Sequence, residues 1–171
     1  MRRVTLVAMA APTLALAVAS LINLPTKLIY NGSPSAPIGF YWIHDHHAER
    51  GDYVLVRTPE RVRSLVEERR YLPPNTPFIK QVAGANGDVV CRRNRKILIN
   101  GVTVTVARNV DSLGRRMPAW TGCHHLRERR VFLLQQHPQS FDSRYFGPVD
   151  RGLIIGRATY LCPPWRKHHP S

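Results

Sequence analysis

Three regimes of hydrophobic and polar patterning follow one another along the chain. Val4 to Leu24 forms 21 consecutive uncharged, mostly apolar residues, preceded by Arg2 and Arg3. As a helix rising ~1.5 Å per residue this run spans about 31 Å, close to the hydrocarbon thickness of a bilayer. From Gly39 the pattern changes to short β-branched and aromatic runs. "GFYWIHD" and "GDYVLVRT" read as two strands bounded by turn residues. "TPERVRSLVEERRYL" then takes the helical period, with Val62, Leu65 and Val66 as its apolar stripe. Thr58 is the expected N-cap, Pro59 suits the first helical position and Glu60 favours the positive helix end. "LPPNTP" breaks the helix. "FIKQVAG", "GDVVCRR" and "KILINGVTVTV" return to strand, and Asn100-Gly101 between alternating apolar residues signals a two-residue hairpin. Residues 107–130 have no regular period and are expected to be irregular. "VFLL" and "LIIGRATYLC" complete the strands, separated by the loop "QQHPQSFDSRYFGPVD".

These elements predict a mainly β, antiparallel-sheet domain with one short helix, preceded by a single N-terminal transmembrane helix. Residues 1–26 are read as the membrane anchor and residues 27–171 as an exported domain. The two arginines ahead of the run favour a cytoplasmic N-terminus, which puts the domain on the outer side. A cleavable secretory signal is the competing reading, because "ALAVAS" offers small residues for cleavage. The run exceeds the ~7–15-residue core of such signals, so a retained anchor is favoured. Either way, Cys91, Cys123 and Cys162 fall in a compartment that permits disulfides. Three cysteines allow one internal bridge at most. Cys91–Cys123 is the favoured pair, since both flank the same β-rich stretch.

A composition of 43% hydrophobic and 21% charged residues suits a folded domain. The 25 basic against 11 acidic residues give a formal charge of +14. The excess is spread along the chain without an aromatic-interleaved motif, so nucleic-acid binding is not expected, whereas anionic lipid or an acidic partner is compatible. "HDHH", His44 to His47, alternates faces just before a turn and reads as a solvated loop in preference to a metal site. No CxxC spacing supports zinc, and no GxSxG nucleophile elbow occurs.

Chemistry concentrates in three stretches. "NGSPSAPIGFYW" places Ser33 and Ser35 among Gly and Pro directly after the apolar run. "FIKQVAGANGD" places Lys80 between apolar neighbours, with Phe78 and Val82 on its face of a strand and Ile79 and Gln81 on the other. "SFDSRYFGPV" carries Ser140, Asp142 and Arg144. In order and character these stretches resemble the motif boxes of the type I signal peptidases. The first is most similar to the conjugative-transfer, TraF-type branch, with its pattern N-x-S-x-S-x-P-x-G. The resemblance extends from the anchor to about residue 161. It implies a signal-peptidase-like fold in which Ser35 is the nucleophile and Lys80 the general base. Ser33 and the Ser35 backbone N–H are the implied oxyanion donors, and Ser140 orients the lysine. Asp142 and Arg144, two apart and expected on one strand face, would pair as a supporting clamp. The chain departs from the pattern at Pro34, where relatives often have Gly, and in "LLQQHPQS", which lacks the Gly-Asp-Asn lead-in many relatives carry.

The dyad makes physical sense. A serine hydroxyl attacks only when a neighbour takes its proton. A lysine at its reference pKa of ~10.4 is neutral about once in 2,500 molecules at pH 7, so it must be desolvated to serve. No carboxylate lies within seven residues of Lys80 in the sequence. The expected function is that of a membrane-anchored serine endopeptidase on the periplasmic side of a bacterial inner membrane, cutting exported precursors with no metal or organic cofactor. The resemblance implies a pilin-like or other conjugation-system substrate. It leaves water and a chain terminus both open as the group that resolves the acyl-enzyme. The alternative from another class is a catalytically silent, anchored basic module that binds a secretion-complex partner or anionic lipid. A self-cleaving Ser/Lys repressor would need a DNA-binding helical domain where this chain has its apolar run.

Overall fold

The computed structural model describes residues 27–45 and 48–161. The expected anchor, residues 1–26, lies outside them, as do His46, His47 and Cys162. Among the described residues no helix is long and apolar enough to cross a membrane.

Two antiparallel sheets make up the domain. The larger has seven strands in the order β1-β2-β11-β3-β4-β9-β10. In chain order these are β1 (Leu28–Asn31), β2 (Gly39–His44), β3 (Tyr53–Val56), β4 (Phe78–Gly84), β9 (Arg130–Leu134), β10 (Val149–Asp150) and β11 (Ile154–Leu161). The smaller has the order β7-β6-β5-β8, formed by β5 (Val89–Arg93), β6 (Lys96–Ile99), β7 (Val102–Val106) and β8 (Gly122–His125). The turn between β6 and β7 has positive φ at both Asn100 (51°) and Gly101 (82°), the backbone that an Asn-Gly hairpin supplies. Cys91 stands opposite Cys123 in the β5–β8 register, and the two form the favoured disulfide across a Cα separation of 4.0 Å.

Helix α1 (Glu60–Glu68) follows β3 and buries Val62 and Val66. These join Val54, Val56, Phe78, Val82, Val131 and Leu133 in the main core on one face of the large sheet. The opposite face holds a second cluster of Tyr41, Ile43, Leu55, Ile79 and Ala158. A third, with Val90, Ile97, Leu126 and Phe132, joins the two sheets. Arg61 of α1 donates to the carbonyls of Phe146 and Pro148, which fixes the helix to the β9–β10 connection.

Four expectations are corrected. The helix starts at Glu60 with Pro59 in the cap position and no side-chain cap, so Thr58 does not cap it. Strand β1 lies ahead of the first expected strand, because Leu28 to Asn31 pairs residue for residue with Trp42 to Gly39. Residues 107–130 contain β8 and an isolated bridge between Val110 and Arg116. Finally, Asp142 and Arg144 do not share a strand face. Ser143–Phe146 is a one-turn helix, α2, whose N-cap is Asp142 accepting from the Arg144 backbone N–H. The side-chain capping bond outcompetes strand formation there.

Candidate active site

Ser33 and Ser35 sit in the loop between β1 and β2, and its shape is set from within. Asn31, the last residue of β1, donates through its amide to the carbonyls of Ser33 (2.9 Å), Ala36 (3.2 Å) and Pro37 (3.1 Å). Its side-chain oxygen accepts from the Ser33 N–H at 3.2 Å. The loop also rests on two tyrosines. Tyr41 Oη donates to the Pro37 carbonyl at 2.8 Å and Tyr160 Oη to that of Ile38 at 3.1 Å. Burial, with Tyr53 and Tyr160 nearby, pushes the Tyr41 phenol above its ordinary pKa, so it remains a donor. Ser33 Oγ and Ser35 Oγ are 3.0 Å apart, and the Ser35 N–H points at Ser33 Oγ at 3.3 Å. The two implied oxyanion donors are thus engaged with one another in the free protein.

Lys80 is central in β4, paired with Val54 of β3 and one pleat from Val82, which pairs with Leu133 of β9. It is 4% exposed, with Phe78 and Val82 of its own face in the core and its Nζ 5.3 Å from the centre of the Phe78 ring. Nζ donates to Ser140 Oγ at 2.9 Å. Burial lowers the Lys80 pKa to about 8; the Asp142 carboxylate opposes that shift and the Arg144 guanidinium adds to it. At pH 7 roughly one molecule in ten then carries a neutral amine.

Ser140 is itself 3% exposed, and its N–H donates to the His137 carbonyl at 3.0 Å. Asp142 and Arg144 are fully buried and bonded twice, Nε to Oδ1 at 2.7 Å and Nη2 to Oδ2 at 2.9 Å. Asp142 Oδ2 also accepts from the Gln135 N–H, and Arg144 Nη2 donates to the Gln135 carbonyl. Gln135 Nε2 in turn reaches the carbonyl of Ile79, next to Lys80. The clamp closes the 135–142 loop on itself and ties it to β4.

One cavity of about 250 Å³ brings these groups together: Ser33, Ser35, Lys80 and Ser140 all line it. No hydrogen bond joins Ser35 to Lys80 among the described residues; each is bonded to its own partner serine. Such contacts commonly tighten only when substrate arrives. Sequence reasoning missed the opposite wall, which residues 108–117 supply. There Asp111 Oδ2 accepts from Tyr71 Oη and Arg115 Nε at 2.7 Å each, while Oδ1 accepts from the N–H groups of Leu113 and Arg115. Burial would raise the Asp111 pKa, but the hydrogen bonds from Tyr71 and Arg115 outweigh it and hold the carboxyl well below its usual range. The aspartate-first turn "DSLG" was the one available signal for this wall. Asn31 is the first letter of the serine motif, and its loop-closing hydrogen bonds are visible only in the fold.

A buried amine of lowered pKa and a paired serine line one cleft, and perturbed groups gathered in a cleft mark a candidate functional site. A family model described as signal peptidase, peptidase S26, matches residues 1–162. The chain belongs to the signal peptidase S26 family. Within it the chain stands with the TraF proteins. It is 32% identical over 136 residues to the plasmid transfer protein TraF of Escherichia coli, covering 73% of this chain and 77% of that one. It is also 30% identical over 143 residues to subunit 2 of the mitochondrial inner membrane protease of Danio rerio, covering 81% and 59%. The crystal structure of a signal peptidase I from Enterococcus faecalis V583 overlaps 68% of this chain and all of that one, with 23% identity and a TM-score of 0.42.

Proposed function

We propose that this chain is a serine endopeptidase in which Ser35 attacks the scissile carbonyl and Lys80 takes its proton. The observation that carries the reading is Lys80: a buried amine with its pKa lowered to about 8, lining the same cavity as Ser35. Ser140 holds the amine until substrate arrives. Neutral Lys80 accepts the Ser35 proton as the serine oxygen bonds to carbon, and the resulting ammonium protonates the leaving amine. Ser33 Oγ–H and the Ser35 N–H release one another and turn to the oxyanion, a contribution typically worth about 3 kcal/mol per donor. Asp142 and Arg144 touch no reacting atom; they hold Ser140 in position.

Family and relatives support an exported precursor as substrate; we read it as pilin-like or otherwise part of a conjugation system, cut while residues 1–26 hold the enzyme in the inner membrane with its catalytic domain in the periplasm. The exposed face beside the serine loop supports that placement. Leu28 and Tyr30 of β1 pair in register with Trp42 and Phe40 of β2, and Leu161 of β11 lies across from Phe40. All five are exposed, an apolar face suited to a bilayer surface.

Co-expression with a pilin precursor, followed by intact-mass measurement of that precursor, tests the reading. Wild type is expected to shorten it, while Ser35→Ala and Lys80→Ala each reduce processing at least about 1,000-fold. Full processing by both variants overturns the reading in favour of a silent binding module.

A further inference from the structure

Beside the cavity runs a groove of about 470 Å³ lined by Arg92, Arg108 and Arg116 together with Asn109, Val110, Met117 and Ala119. Arg108, Val110 and Met117 line both the groove and the cavity, so the two adjoin along these residues. No carboxylate lines the groove. Among the described residues none of its three arginines pairs with one; the ion pairs of the domain use other cations. Arg92 is only 8% exposed, and its guanidinium bonds to main-chain carbonyls alone, those of Asn94 at 2.9 Å and Arg144 at 2.6 Å. Asp111, the acid at the cavity wall, is already filled by Tyr71, Arg115 and two backbone N–H groups. A buried guanidinium without a counter-charge is costly and leaves an unbalanced positive field. Arg108 is the arginine that lines both the groove and the cavity.

We infer that Arg108 is a specificity-determining residue that binds a carboxylate of the substrate polypeptide within a few residues of the bond Ser35 attacks. The inference rests on the peptidase reading for its meaning but not for its test. Planar bidentate pairing with a carboxylate is what a guanidinium offers, and the low-dielectric rim strengthens it. The carboxylate has two sources, an Asp or Glu side chain or the chain terminus, and the groove recognises the shared chemistry. Because Arg92 is fixed by its carbonyl partners, it supplies field, while Arg108 makes the contact.

The test is a binding comparison on the full-length Ser35→Ala protein with three fluorescein-labelled alanine-rich decapeptides. One carries two Glu and an amidated terminus. The second replaces both Glu by Gln and has a free terminal carboxylate. The third has Gln and an amidated terminus. Anisotropy is expected to give roughly tenfold tighter binding for the first or second peptide than for the third, and which of the two identifies the source. The preference is expected to disappear when Arg108→Gln is added and to survive Arg129→Gln, whose side chain is 85% exposed and lies near Asp150. Equal binding of all three peptides, or a preference that Arg108→Gln leaves intact, overturns the inference. If the preference holds but the wild-type protein leaves pilin precursors uncut, the groove stands and the peptidase reading falls.

Discussion

At the scale of single residues, the proposed chemistry turns on Lys80. Its burial lowers the pKa to about 8, so catalysis by the neutral amine has a definite pH signature. We expect kcat/KM to rise tenfold per pH unit below that value and to level off above it, as measured on a labelled peptide substrate from pH 6 to 9.5. Stability shares the cause. Between about pH 8 and the ordinary lysine pKa near ~10.4, the unfolded chain binds more protons at this site than the folded one, so stability rises with pH across that window. Below it the full penalty of a buried ammonium persists. Lys80→Met is therefore expected to raise stability at pH 7 by on the order of 3 kcal/mol, read by urea denaturation, while removing activity. A lower melting point for Lys80→Met would show that the amine is better satisfied than its surroundings imply. Strand alternation puts Lys80 beside Phe78 and Val82, and the resemblance to the signal peptidases is what singles it out as the base. Asp142 entered the site only through the motif resemblance; local pattern does not bring a carboxylate 62 positions away close to Lys80, and its electrostatic pull on the amine is a product of the fold.

At the scale of elements, the supporting clamp is a loop device rather than a strand device. Asp142 caps α2, bonds Arg144 twice and receives the Gln135 N–H, so one buried carboxylate organises the whole connection between β9 and α2. Removing it strands a fully buried guanidinium. Asp142→Ala is expected to cost about 3–5 kcal/mol by chemical denaturation, and the double variant Asp142→Ala/Arg144→Met is expected to recover part of that loss. Additive losses in the double variant would mean that the two charges do not act as a pair. Pairing of the two residues was readable from "FDSR", but their element was not, because an aspartate at such a position serves a turn, a strand end or a cap equally well. Gly156 makes a similar point within β11. A side chain there would meet the His44 carbonyl at 2.5 Å, so glycine is required where the strand bulges between β2 and β3. Nothing in "LIIGRATYLC" distinguishes that close approach from an ordinary strand glycine.

At the scale of the whole molecule, the strand order of the large sheet interleaves chain ends with chain middle: β11 lies between β2 and β3. Alternation found most of the strands, but it carries no information about which strand neighbours which. The small sheet is closed by the Cys91–Cys123 bridge, which pins β8 beside β5 across a sequence separation of 32. On loop-closure grounds Cys91→Ser is expected to lower stability by about 3–4 kcal/mol, measured by denaturant titration against the oxidised wild type. An unchanged midpoint would show that the bridge constrains nothing that the β5–β8 hydrogen bonds do not already hold.

The proposed serines lie in the β1–β2 loop and Lys80 in β4 of the seven-stranded sheet, whereas Arg108, Asp111 and Met117 stand on the excursion between β7 and β8 of the other. If both proposals hold, the residues that react and the residue that selects come from different stretches of one polypeptide. Transplanting residues 107–121 between two related proteins is a route to retargeting the enzyme while its reaction centre stays as evolved.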